Sequence, residues 1–184
     1  PYLGDEDGLM QLARSVAGMA DAFDPPLRWE DIAGQMDIDP ALDDAGVLAM
    51  VLKDDERDVC DAIWPRFDPE KRNEGRIHTV LRSMPWNAMT LEALAELETV
   101  CLTGEKTKTP FAAKGQSIGN KAIRDTIGPD VMEAFAALTE RVEAARPMRL
   151  GLLNARKTHA LHRFAPGFLP AYETAKTARG WLDF

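Results

Sequence analysis

An all-α fold, a single irregular domain of about eight helices, is what this sequence predicts, and three observations predict it. Apolar residues recur at steps of three and four almost throughout the chain. Short polar residues and prolines fall together where one such run gives way to the next, the pattern of helix starts and stops. No stretch alternates apolar and polar residues for long enough to read as a strand. The chain has 184 residues, 45% of them apolar, with a mean hydropathy of −0.27. That is enough to bury one core, and it contains no apolar run of membrane-spanning length. No basic–apolar leader stands at the front, and the first residue is Pro1, which suggests an excised or processed piece.

The elements follow in order. Residues 5–23 carry Leu9, Leu12, Val16, Met19 and Phe23 as one apolar stripe, with Asp5, Glu6 and Asp7 suiting the positive end of the helix dipole. Asp24-Pro25-Pro26 stops that helix. Residues 29–36 form a short helix with Trp29 and Ile32 inward. Asp39-Pro40 reads as cap and first residue of a helix bearing Leu42, Val47, Leu48, Val51 and Leu52. The acidic run 53–61 reads as a solvated turn and helix start, since a Mg²⁺ or Ca²⁺ loop needs glycine punctuation and spaced ligands. Residues 59–64 continue that helix up to Pro65. Asp68-Pro69 opens a helix over 70–84 with Ile77, Val80, Leu81 and Met84 inward; His78 beside them reads as structural or exposed and not as catalytic. Thr90 caps 91–102, whose apolar side is Leu91, Leu94, Leu97, Val100 and Cys101. A loop over 105–115 follows, then a helix from a Ser117 cap to Ile127, stopped by Gly128-Pro129. Asp130 caps 131–146, with Val131, Met132, Phe135, Leu138 and Val142 inward; Pro147 separates or kinks it from 148–164 and 167–179, a long helix bent near Pro166 and Pro170.

Charge is uneven. The net charge is −8, but residues 1–100 hold 22 acidic and 9 basic groups, whereas residues 101–184 hold 8 and 13. Such asymmetry marks either a nucleic-acid face on the basic half or internal pairing between the two halves. Two groups of cations stand out. Lys106, Lys108 and Lys114 lie on a loop nearly free of acids, followed by Lys121 and Arg124 on the next helix. Arg149, Arg156 and Arg163 recur every seven residues, a helical stripe drifting about 20° per step. Their helix puts Leu150, Leu153, Leu161, Phe164 and Phe168 on an apolar face, so the arginines are expected to flank the core. Both groups suit phosphate contact.

His159 and His162 have a spacing that a metal could bridge, but no cysteine or HExxH glutamate accompanies them. Trp29, Trp64, Trp86 and Trp181 are scattered and read as core or rim. Cys60 and Cys101 read as reduced, partly buried thiols of a cytoplasmic protein. The chain shows no GxxxxGK[ST], GxSxG or Rossmann glycine pattern.

The end of the chain, YETAKTARGWLDF, sets Tyr172, Lys176 and Arg179 on one helix face, places Gly180 where a left-handed residue ends a helix, and runs into Trp181-Leu182-Asp183-Phe184. This stretch resembles the junction before the Walker B strand of UvrD-like superfamily 1 helicases, and most closely that of AddA-type helicase–nucleases. Leu102-Thr103-Gly104, the lysine loop to Lys114 and Lys121-Ala122-Ile123-Arg124 are similar to the "LTG…K…KALR" passage of that family. The resemblance covers roughly residues 95–184. It implies that residues 1–184 are a helical 1B subdomain, in which an acidic half (1–100) precedes a basic half (101–184) that leads into the motor core. The parent it implies is an ATP- and Mg²⁺-dependent 3′–5′ DNA helicase and nuclease of double-strand break repair, working with an AddB-like partner subunit. By the same resemblance Tyr172, Lys176, Gly180, Asp183 and Phe184 are junction residues. The piece itself is expected to hold no cofactor and no catalytic residue, and to guide DNA. The alternative is a helical protein-interaction module, with the acidic half as docking surface and the cations as internal partners.

Overall fold

The computed structural model describes residues 6–178, and among them it is all-α: eight α-helices, three short 3₁₀ turns and no strand. An isolated antiparallel bridge joins Leu102 to Ala113. The helices are α1 (Glu6–Ala17), α2 (Trp29–Gln35), α3 (Asp44–Val51), α4 (Glu56–Ile63), α5 (Arg72–Ser83), α6 (Leu91–Cys101), α7 (Lys121–Ile127) and α8 (Pro129–Ala178). The expected single domain divides into two compact units. One is Pro1–Pro40 with Gly151–Phe184, the other Ala41–Leu150.

In the first unit α1 stops earlier than its apolar stripe suggests, and a 3₁₀ turn, Ala20–Phe23, completes it. Val16 and Phe23 are buried with Ala165, and Leu12, Leu161, Phe168 and Leu169 pack around them. Met19, expected inward, is 53% exposed, because the change of pitch after Ala17 takes it off the stripe. Ile32 is buried as expected, whereas Trp29 is only half-buried and donates its indole N–H to the Pro40 carbonyl at 2.8 Å. Asp39-Pro40 is therefore a turn and opens no helix.

In the second unit, the cap of α3 is Asp43, whose carboxylate accepts from the Gly46 N–H at 2.8 Å. The turn at residues 68–71 carries Glu74 folded back onto the Asp68 N–H, and α5 starts at Arg72, two residues later than the cap-and-proline signal suggests. Thr90 caps α6 as expected, accepting from the Ala93 N–H. The cap of α7 is Asn120, accepting from the Ile123 N–H, and not Ser117. Helix α5 packs on α6, which also meets α3; Leu91, Leu94, Leu97, Val100 and Cys101 are all buried there. Gly119, at φ +66°, is held where an added Cβ would approach the ring of buried Phe67 to 2.9 Å.

The largest departure from expectation is α8. It is one 50-residue helix through Pro147, Pro166 and Pro170. All three prolines are exposed, and the carbonyls that Pro147 and Pro170 leave without an N–H donor belong to exposed Glu143 and Pro166. Met132, Phe135, Leu138 and Val142 are buried on α8 as expected, but beyond Arg146 its inward face differs from the expected one. Arg149, Leu152, Ala155, His162 and Ala165 are buried, while Leu150 and Phe164 are 37% and 41% exposed.

Candidate functional site

The most developed polar site lies in the second unit, where the C-terminal half of α6 faces the portion of α8 up to Arg149. Glu98 sits on the apolar side of α6, between Leu94 and Cys101, and is 5% exposed. A buried carboxylate there demands cationic partners. Arg149 gives a two-pronged answer, Nε to Oε1 at 2.6 Å and Nη2 to Oε2 at 2.8 Å. Arg146, three residues back on the same helix face, adds Nη1 to Oε2 at 2.5 Å. Its guanidinium also lies 3.8 Å from the centroid of the Phe111 ring, a close cation–π contact.

Phe111 belongs to the loop between α6 and α7, and its φ of +57° is a left-handed conformation unusual for a bulky side chain. The loop holds it there by a dense set of bonds. The Thr103 hydroxyl donates to the Thr109 carbonyl and accepts from the Ala112 N–H; the Thr103 N–H donates to the Ala112 carbonyl. Ala113 donates to the Glu143 carboxylate at 2.9 Å and Gly115 to the buried Thr139 hydroxyl at 3.1 Å. The loop is thus framed by hydrogen bonds to its own backbone and to α8. The result is a cleft of about 380 Å³ whose lining includes Arg76, Lys114, Arg146 and Arg149 as cations and Glu98 as the single acid.

The residues singled out from the sequence fare differently. Lys106 and Lys108 are exposed on the loop. Lys114 is half-buried: its Nζ donates to the carbonyls of Val100, at 2.7 Å, and Thr99, so it also closes the end of α6. Burial pushes its pKa below the ordinary lysine value, and the Arg76 charge acts the same way. Lys121 pairs with Asp125 at 2.7 Å, and Arg124 donates to the Gly119 carbonyl at 2.8 Å. Arg149 does not flank the core as expected. It enters it, because Glu98 waits there. Arg156 and Arg163 are exposed on α8 in the first unit. Tyr172 lies against Phe168 with ring centroids 5.5 Å apart, and Lys176 is 3.9 Å from Glu173. Gly180, Asp183 and Phe184 of the junction stretch, with Trp181, lie outside the described residues.

The histidines have separate tasks. His162 is buried; its Nδ1 accepts from the Leu27 N–H at 3.2 Å and its ring meets Phe23 edge-on, while His159 packs on Trp29. His78 meets Trp64 edge-on at 5.1 Å. Among the described residues no group of three or more His, Cys, Asp or Glu is placed to hold a metal, and no helix is long and apolar enough to cross a membrane. Both cysteines are free and fully buried, deeper than expected; burial pushes the Cys101 thiol up to about 12 and raises Cys60 as well.

Sequence reasoning missed Glu98, Phe111 and Arg76. For Glu98 a signal was present, an acid one turn from Leu94 and Cys101 in the stripe that builds the core face of α6. The acidic run at 53–61 hid a second case: Glu56 is buried and, with Asp55, accepts from Arg141 Nη2 at 2.7 and 2.8 Å. No protein-family model, no curated protein and no solved structure matches the chain.

Proposed function

We propose that this chain is an accessory helical subdomain of an AddA-type DNA helicase–nuclease, and that it guides DNA near the motor by contacting phosphates. The observation that carries this reading is the cleft beside α6, where four cations surround one carboxylate in an otherwise acidic protein. Lys106 and Lys108 extend positive charge along the same loop, exposed to any strand laid across it. The Leu102-Thr103-Gly104 passage, which carries some of the resemblance, also lines the cleft. In this reading ATP and Mg²⁺ belong to the motor, and this piece supplies only position and charge.

The test is fluorescence anisotropy on labelled single-stranded and duplex DNA at low salt. The double variant K106Q/K108Q spares Lys114, whose ammonium closes α6, so it removes charge without touching the fold. The expected result is binding by the wild type that weakens about three- to tenfold in the variant, for two phosphate contacts of modest strength. Equal binding by both proteins removes the loop lysines from the interface.

A second reading is favoured by a specific observation. Asp55, Glu56 and Glu98 of the acidic half pair with Arg141, Arg146 and Arg149 of the basic half. Some of the charge asymmetry is therefore internal, as a protein-interaction module requires, and the exposed acids of the first hundred residues would then dock a partner subunit. Capture of an AddB-like subunit together with no DNA affinity at low salt would select this reading.

A further inference from the structure

We infer that the cleft beside α6 is a seat for a terminal phosphate, the phosphomonoester at the end of a DNA strand; this rests on the DNA-contact reading above. Three features of the cleft point that way. Its strongest cations are recessed: the side chains of Arg149 and Arg146 are 8% and 20% exposed. A phosphodiester within a strand is flanked by sugar on both sides and meets cations that project. A terminal phosphate hangs from one ester bond and can enter a recess, bringing three oxygens and a charge of roughly −1.5 to −2 at pH 7. The space suffices: about 380 Å³ corresponds to roughly a dozen waters, enough for a phosphate and its ester-linked carbon.

The cleft is also built for an anion with several acceptors. Glu98 takes three N–H bonds from the two guanidiniums, and each guanidinium carries five N–H donors in a planar fork. Phe111 braces the Arg146 plane from one side and Glu98 holds its Nη1, so the fork is oriented before any ligand arrives. Arg76 stands exposed at the rim, and Lys114 lines the wall. Glu98 offsets only one of the four cations in the lining, and the positive charge that remains attracts a doubly charged guest more strongly than a singly charged one.

The experiment uses the whole 184-residue chain and one oligonucleotide sequence prepared with a 5′-phosphate, with a 3′-phosphate, or with hydroxyls at both ends, inorganic phosphate serving as competitor. One of the two phosphorylated forms is expected to bind at least about tenfold more tightly than the hydroxyl form, the size of one charge-assisted hydrogen bond. Inorganic phosphate should erase that difference. Arg76→Gln, at an exposed position, should reduce the preference about threefold, a surface charge contact. Arg146→Lys, which keeps the charge and removes the fork, should abolish most of it. Equal, salt-sensitive binding of all three oligonucleotides overturns the terminal-phosphate seat and leaves DNA contact standing. Absence of binding to any of them overturns both.

Discussion

At the residue scale, Glu98 is the position on which most depends. It joins α6 to α8 by three charge-assisted bonds, and its own side chain is almost wholly buried. Glu98→Ala leaves two guanidiniums without their carboxylate and should cost about 3–5 kcal/mol in urea unfolding, the usual loss on breaking a buried pair. A loss under about 1 kcal/mol would show that water repairs the site. The buried thiols give a second prediction. The Cys101 thiol has an ordinary pKa of 9.0 and is pushed up to about 12 in the folded chain. Between those values the unfolded chain ionises and the folded one does not, so the unfolded state holds fewer protons and stability falls as pH rises. Cys101→Ala should flatten that alkaline fall by roughly 1 kcal/mol per pH unit, measured by urea unfolding between pH 9 and 11. An unchanged slope would mean the thiol is reached by solvent. Gly119→Ala combines a left-handed backbone with a clash against Phe67 and should destabilise by about 1–3 kcal/mol, read from the same unfolding curves.

At the scale of elements, α8 is the informative case. Local rules place a break at Pro147 and a bend at Pro166 and Pro170, yet the helix runs from Pro129 to Ala178. Burial on both sides of Pro147 outweighs the local cost there, since Val142, Ala145, Leu152 and Ala155 are all fully buried along the helix, and the half-buried Phe168 and Leu169 pack against the core around Pro166 and Pro170. That cost should be recoverable. Pro147→Ala, at an exposed position, should stabilise the chain by about 1–3 kcal/mol, since proline is about 3 kcal/mol worse than alanine inside a helix. A destabilised variant would show that the proline is needed at that point. The helices themselves were legible in the sequence because their apolar period is strong, and the apolar side of α6 was read correctly residue by residue. The inward face of α8 was legible as far as Val142, with Met132, Phe135, Leu138 and Val142 buried as expected, and was misread beyond Arg146. Beyond Arg146 the core positions are, apart from Leu152, filled by Arg149, Ala155, His162 and Ala165, small or polar residues that a search for large apolar side chains passes over. The arginine stripe at steps of seven was real as spacing, but Arg149 turns to a carboxylate 51 positions away, and no local pattern reports that.

At the scale of the whole molecule, an acidic chain carries a basic cleft, and that contrast is what the functional reading explains. The sequence showed the charge asymmetry and the lysine loop. It could not show that Lys114 ties off a helix, that Phe111 is held beneath Arg146, or that Asp55 and Glu56 meet Arg141, because all three depend on long-range packing. The central claim is that the exposed charge left after this internal pairing meets nucleic-acid phosphate. The most direct measurement is the dependence of single-stranded DNA affinity on salt, for the wild type and for K106Q/K108Q. Each phosphate contact contributes about −0.7 to the slope of log K against log salt. The account predicts a wild-type slope of about −2 or steeper and a variant slope shallower by about one to one and a half. A flat wild-type slope, or no affinity at low salt, would contradict it and leave the protein-docking module as the reading to pursue.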